Sequence, residues 1–328
     1  MHAIPADFSR LTPNAVLDAV EAACGSTLSG LIRPLPSYIN RVYEVTCNDG
    51  TPLIAKFYRP GRWSRAAIAE EHAFVRACAE SDIPVIAPLP TPAGETIHEV
   101  DGALFALFPK RGGRPVEPAN DNLPLWHRLG ALVGRIHTVG SLRPAPSRIT
   151  LHPLESTADD IDYLLDGGFL DSHAEAEFSR LAETFMDAVV PLFEDVSMIR
   201  IHGDCQRTNV LERPDSGVFL IDFDDMMNGP AIHDLWMLLP GHPEDVPAEC
   251  DALLEGYAMF YPFDPRSLDL IEPLRAMRMI YYLAWCARQA TDHAFRHNHP
   301  EWGTSAFWTR ELNDLSTQVD EITCALSA

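Results

Sequence analysis

An aspartate, an asparagine and a second aspartate stand at positions 204, 209 and 222, in the runs His202-Gly203-Asp204-Cys205-Gln206-Arg207-Thr208-Asn209 and Ile221-Asp222-Phe223-Asp224-Asp225. Between them, Arg213-Pro214-Asp215-Ser216-Gly217 reads as a turn, with Val210-Leu211 before it and Val218 to Ile221 after it. If those flanks pair as a hairpin, Asn209 and Asp222 lie side by side at its open end. An amide oxygen and a carboxylate so placed suit Mg2+, which takes oxygen ligands at about 2.0–2.1 Å and completes its octahedron with water and substrate phosphate. Asp204, on the loop entering the hairpin, is placed to accept a proton from a hydroxyl nucleophile. Positioning, charge neutralisation and one base are what phosphoryl transfer requires.

A lone aspartate in a turn is more often a cap than a catalyst. The reading rests on the conjunction H-G-D-x-x-x-x-N, then D-F-D after an apolar strand. His202 reads as structural, since no second histidine stands at metal-ligand spacing. Cys205 reads the same way, with nothing nearby that clearly activates its thiol. Phe219 to Met226 also mimics the D-x-D start of the haloacid-dehalogenase phosphatases. That fold wants Thr or Val where Met226 stands, and a lysine downstream where this chain has none, so it is rejected.

The elements that must position these groups follow from periodicity. Residues 14–24 and 65–80 carry apolar stripes of helical spacing, the second through Ile68, Phe74, Val75 and Cys78. Strands are expected at 42–46 and 52–57 around Asn48-Asp49-Gly50, and at 103–108. Residues 109–118, rich in glycine and proline, read as a linker. A helix at 124–139, one or two more within 159–193, a strand-rich island at 198–223 and helices from about 233 complete the pattern. The fold class expected is α+β and two-lobed: a β-rich nucleotide-binding lobe over 1–109, a hinge at 110–118, and a mainly helical lobe over 119–328.

Composition excludes several classes. The chain has 328 residues, 46% of them apolar, so it can bury a core. Its formal charge of −22 offers no basic footprint for nucleic acid or an anionic membrane. The longest apolar run, Met279 to Ala287, is too short to span a bilayer. The N-terminus lacks the pattern of a signal peptide, so the expected location is cytoplasmic. Seven scattered cysteines without a C-x-x-C fit reduced thiols. Of 25 basic residues only two, Lys56 and Lys110, are lysine; a chain that otherwise uses arginine needs a local reason for a compact ammonium. The residues are silent on oligomeric state, and a monomer is the expectation.

The motif H-G-D-x-x-x-x-N…D-F-D resembles the catalytic loop of the protein-kinase-like superfamily, in its aminoglycoside and choline phosphotransferase branch. The resemblance implies that Asp204 is the proton acceptor, that Asn209 and Asp222 hold Mg2+, and that ATP is the co-substrate. Asp204 and Asp222 become the candidate catalytic residues. Leu53-Ile54-Ala55-Lys56-Phe57 looks like the strand whose lysine contacts the ATP phosphates, which supplies a reason for Lys56. Its implied partner is Glu71, with Glu70 as the alternative. Further segments, among them Ser37-Tyr38-Ile39-Asn40-Arg41-Val42-Tyr43, Asp234-Leu235-Trp236 and Ile271 to Trp285, resemble a family of bacterial cytoplasmic serine/threonine protein kinases of this fold that act in stress responses. That likeness, over about 31–310, implies that Ser37 contacts ATP, that Asp234 is a buried brace for the catalytic loop, and that the partner is a protein bearing Ser or Thr.

The chain also departs from the pattern. The covering loop has no glycine between Pro36 and Asp49, so side chains such as Ser37 must replace backbone amides near phosphate. Gln206-Arg207-Thr208 holds no small residue, and no A-P-E segment follows Asp222. A binding-only pseudokinase would have lost the lysine, base or metal residues, and all are present. A small-molecule kinase for an aminoglycoside, choline or homoserine is the alternative, with Asp224 and Asp225 as carboxylates able to hold an ammonium group.

Overall fold

The computed structural model describes residues 8, 11–37, 39–91, 93–117, 122–213 and 217–327. The helices are α1 (Pro13–Cys24), α2 (Arg65–Glu80), α3 (Leu123–Gly140), α4 (Ala158–Asp166), α5 (Ser172–Val189), α6 (Ile232–Trp236), α7 (Pro247–Ala258), α8 (Ile271–Gln289), α9 (His293–Asn298) and α10 (Ser305–Ser327). The strands are β1 (Leu28–Leu35), β2 (Arg41–Cys47), β3 (Pro52–Phe57), β4 (His98–Val100), β5 (Ala103–Pro109), β6 (Arg114–Pro115), β7 (Met198–Ile201), β8 (Val210–Arg213), β9 (Gly217–Leu220) and β10 (Met227–Pro230). This is the α+β class expected, strand-rich at the N-terminal end and helical toward the C-terminus.

Contacts group the chain into two compact units, each discontinuous in sequence. One comprises Met1–Arg148, His202–Met226 and Met237–Pro262; the other comprises Ile149–Ile201, Met227–Trp236 and Phe263–Ala328. The first unit holds an antiparallel sheet in the order β1-β2-β3-β5-β4. The β2–β3 turn forms where Asn48-Asp49-Gly50 predicts it: Gly50 takes φ +88°, and Asp49 accepts from the Thr51 amide at 2.8 Å. Along β3 the side chains alternate. Leu53, Ala55 and Phe57 enter a core with Val16 and Val20 of α1 and with Phe105 and Leu107 of β5, Phe57 stacking on Phe105 at 4.8 Å. Lys56 therefore emerges on the opposite face, beside Val42 and the small Ala106.

α2 buries the expected stripe and, with it, two polar residues, Glu71 and His72. Its N-cap is Ser64, which accepts from the Ala67 amide at 3.1 Å. α3 packs against α7 at a separation only glycine permits. A Cβ on Gly130 would stand 1.8 Å from the Leu253 carbonyl oxygen, and one on Gly256 would stand 1.9 Å from that of His127.

Part of the expected linker is ordered as a strand. Arg114 and Pro115 pair with Glu212 and Leu211, and the Val116 amide donates to the Val210 carbonyl at 2.9 Å. Gly113 runs so close that an added Cβ would meet the Leu211 Cβ at 2.8 Å. Flexible composition here serves close approach. Pro118 lies outside the described residues, as do Tyr38 and Pro214 to Ser216 of the expected hairpin turn.

In the second unit β7 and β10 pair antiparallel, and α8 packs with α4, α6 and α10. Asp234 of α6 is buried, as expected. β1 and β10 were not legible from alternation, since Gly30 and Pro34 interrupt the first and Gly229 and Pro230 end the second. The seven cysteines carry no disulfide. Among the described residues, no helix is long and apolar enough to cross a membrane.

Candidate active site

The expected hairpin forms, with its register shifted by one residue from the pairing that would set Asn209 directly opposite Asp222. β8 pairs with β9 from Val210↔Leu220 to Arg213↔Gly217, and the Ile221 amide donates to the Asn209 carbonyl at 2.9 Å. Asn209 thus stands opposite Ile221, one residue short of Asp222. Asp222 adopts φ +63° and ψ +65°, a left-handed conformation that is costly for a residue with a Cβ and concentrates at functional sites. The turn throws its half-exposed carboxylate out of the strand line.

Asp204 is held by amide groups. Its Oδ2 accepts from Gln206 Nε2 at 2.9 Å and from Asn209 Nδ2 at 3.1 Å, and its carbonyl also accepts from Asn209 Nδ2 at 2.9 Å. His202, fully buried, ties this loop to the hairpin. Its Nδ1 accepts from the Asp204 amide at 3.2 Å, so Nε2 carries the proton and donates to the Ile221 carbonyl at 2.9 Å. The histidine braces the Asp204 loop against the strand that leads to Asp222, a structural role.

Lys56 meets Asp222 across 166 residues of sequence: Nζ donates to Oδ1 at 2.8 Å. A second carboxylate, on the buried Asp224, lies 3.2 Å from the same Nζ. Burial disfavours the charged ammonium, yet Asp222 and Asp224 outweigh it and hold the lysine well above its usual pKa. Asp224 also takes Arg62 Nη1 and, at 3.3 Å, Asn40 Nδ2, while Arg62 Nη2 reaches Asp225. For Asp224, burial is outweighed by Lys56, Arg62 and Arg148, which hold the carboxyl well below the carboxylate range. Burial raises Asp225 above it.

Glu71, expected as the partner of Lys56, is bonded elsewhere. Its Oε2 accepts from Arg148 Nη2 at 2.8 Å, and Lys56 acts on it only through its field. The reason is competition: Asp222 and Asp224 take the ammonium, while Arg148 takes the Glu71 carboxylate. Burial pushes Glu71 up to about 8 against the pull of Lys56 and Arg148. Glu70, the alternative, accepts from the Ser147 amide at 2.9 Å. Ser37 is exposed beyond β1 and is not among the side chains gathered here; Asn40, three residues on, is. Arg62, Asn40 and Arg148 carried no sequence signal of their own, apart from Asn40's place in the motif with Ser37.

The donor set fits a hard divalent cation. Asn209 commits its NH2 to Asp204, which leaves its amide oxygen available to a cation, and Asp222 could add a half-exposed carboxylate.

These features describe a kinase-like phosphotransferase, and comparison with known proteins agrees. Residues 31–271 match the phosphotransferase enzyme family. At 19% identity and a TM-score of 0.74, the fold is that of a structure described as amicoumacin kinase hAmiN in complex with AMP-PNP, Ca2+ and Ami, over 95% of this chain and 94% of that one. Spectinomycin phosphotransferase superposes with a TM-score of 0.64 at 14% identity, over 94% and 98% of the two chains.

The chain belongs to that family, in the branch of the stress response kinase A proteins, and phosphotransferase activity goes with the membership. It is 37% identical over 305 residues to stress response kinase A of Escherichia coli (strain K12), covering 93% of this chain and 91% of that protein. It is equally similar over 312 residues to the serine/threonine protein kinase RdoA of Salmonella typhimurium, covering 95% and 93%.

Proposed function

We propose that this chain is a cytoplasmic serine/threonine protein kinase of a bacterial stress response, transferring the γ-phosphate of ATP to a protein hydroxyl with Mg2+. The observation that carries the reading is the 2.8 Å contact between Lys56 and Asp222, which brings a phosphate-binding cation to the metal-binding carboxylate at the hairpin end. Residues 1–109 act as the nucleotide lobe, with Ser37 and Lys56 on the nucleotide, 110–118 act as the hinge, and 119–328 carry the acceptor side.

Asp204 accepts the proton of the attacking hydroxyl as its oxygen bonds to the γ-phosphorus and the bond to ADP breaks. Gln206 and Asn209 fix that carboxylate in place. Lys56 offsets charge on the phosphates, and Asn209 and Asp222 hold the cation. Bound Mg2+ supplies further neutralisation of phosphate charge. A protein acceptor is favoured by the relatives named as protein kinases and by Arg62. Its fork engages both Asp224 and Asp225, the two carboxylates that a cationic small acceptor would need.

The test is side-by-side incubation of the purified protein, Mg2+ and γ-labelled ATP with myelin basic protein and with a panel of amino alcohols. Acid-stable, base-labile label on serine or threonine, lost in Asp204→Asn, is expected. Robust turnover of an amino alcohol without labelled protein at equal enzyme concentration would give the case to the small-molecule kinase.

A further inference from the structure

We propose that Arg148 is a positioning residue that fastens α2 to the turn carrying Asp222 and so sets the geometry of the metal-binding carboxylate. Its guanidinium is completely buried and serves three acceptors on two separate elements. Nε donates to the Ala67 carbonyl at 2.9 Å and Nη2 to Glu71 Oε2 at 2.8 Å, both on α2; Nη1 donates to the Asp224 carbonyl at 2.9 Å. Its flat face rests on the Trp63 ring, 4.2 Å from the centroid, which leaves the in-plane donors free to point outward.

The fork reaches the turn where the backbone is most constrained, two residues beyond the left-handed Asp222. A rigid five-donor plane can hold α2 and the turn in fixed register; a lysine, with one rotatable ammonium on a flexible stem, cannot serve all three acceptors. The neighbouring backbone adds to the anchorage, since the Ser147 amide donates to Glu70. Phe74 of α2 meets Phe223 of the turn edge-on at 5.8 Å, so the same two elements also touch through an apolar contact that Arg148 aligns. The helix carboxylate that would otherwise steady the phosphate-binding lysine thus steadies the metal turn instead. Lys56 is held from the turn's side, by Asp222 and Asp224.

The effect on metal rests on the reading of Asn209 and Asp222 as its ligands, whereas the fastening itself does not. The experiment therefore uses two readouts on the full-length Arg148→Lys protein. The first is amide hydrogen exchange of residues 222–226 and of α2 without metal or nucleotide. The second is ATP binding by calorimetry across a Mg2+ titration. Faster exchange in both segments is expected, with the Mg2+ concentration for half-maximal effect raised by about 10–100-fold, as for loss of a residue that orients a metal ligand, and metal-free ATP affinity unchanged. Faster exchange with an unshifted Mg2+ requirement would support the fastening and reject Asp222 as a metal ligand. Unchanged exchange in the folded variant overturns the proposal. Should Arg148→Lys fail to fold, Arg148→Met with Glu71→Met removes both polar heads at similar volume; wild-type exchange in that double variant would equally overturn it.

Discussion

Two acidic segments of the site, the loop at Asp204 and the turn at Asp222 to Asp225, use the same residue type in opposite surroundings. Asp204 is gripped by amides, Gln206 and Asn209. The turn is gripped by cations: Lys56 on Asp222 and Asp224, and Arg62 on Asp224 and Asp225. Amides orient a carboxylate without cancelling its charge, which suits a proton acceptor. At Asp224 the cations Lys56, Arg62 and Arg148 outweigh burial and hold the carboxyl well below the carboxylate range, which suits an anion that organises charge. Position in the sequence does not distinguish the two environments; partners do.

If that contrast holds, Asp204→Asn and Asp224→Ala fail in different ways. The first keeps shape and removes the proposed proton acceptor. Turnover should fall by roughly 10²–10⁴, with nucleotide affinity and thermal midpoint nearly unchanged. An equal loss of ATP binding would make Asp204 a positioning group and erase the distinction. The second leaves Lys56 and Arg62 facing a missing buried carboxylate, so unfolding in denaturant should show a loss of about 3–5 kcal/mol. A loss below about 1 kcal/mol, the range of an exposed ion pair, would mean that the cations do not depend on this carboxylate.

The smallest effect is a pH dependence. His72 is buried between Tyr58 Oη and Thr96 Oγ1. Burial, then the charges of Lys56 and Arg148, lower it to about 3. The unfolded chain binds a proton here near pH 6.5 while the folded chain does not until about 3. The stability present above 6.5 is therefore lost as pH falls through that window, by about 2 kcal/mol between pH 7 and pH 5 for this group alone. His72→Gln should flatten that part of the profile, measured as denaturant midpoints at the two pH values. An unchanged slope would place the acid sensitivity elsewhere.

Local signals were legible where one segment carries the whole instruction. The turn signal between Val210-Leu211 and Val218 to Ile221 made the hairpin legible to within one residue of register, and alternation along β3 fixed the face of Lys56. The partner of Glu71 was not legible, because Arg148 is 77 residues away in a segment without periodicity, and a resemblance supplies a pairing without supplying its competitors. The same holds for Arg62, whose contacts span 162 and 163 residues. β6 was missed because glycine and proline signal irregularity equally well when they permit one strand to lie against another.

The reach from Lys56 to Asp222 also bears on how this chain is made. During synthesis the β1–β5 sheet can form once its last strand, ending at Pro109, has emerged. Lys56 is buried on a face of that sheet, with its carboxylate partners still unsynthesised for more than a hundred residues. A cation cannot be sealed from water without them. That face must stay hydrated until Asp222 and Asp224 arrive, and the first unit is not complete until Pro262. Nascent chains stalled before residue 222 should therefore expose the Lys56 face to amine-modifying reagents, and chains stalled after residue 262 should protect it.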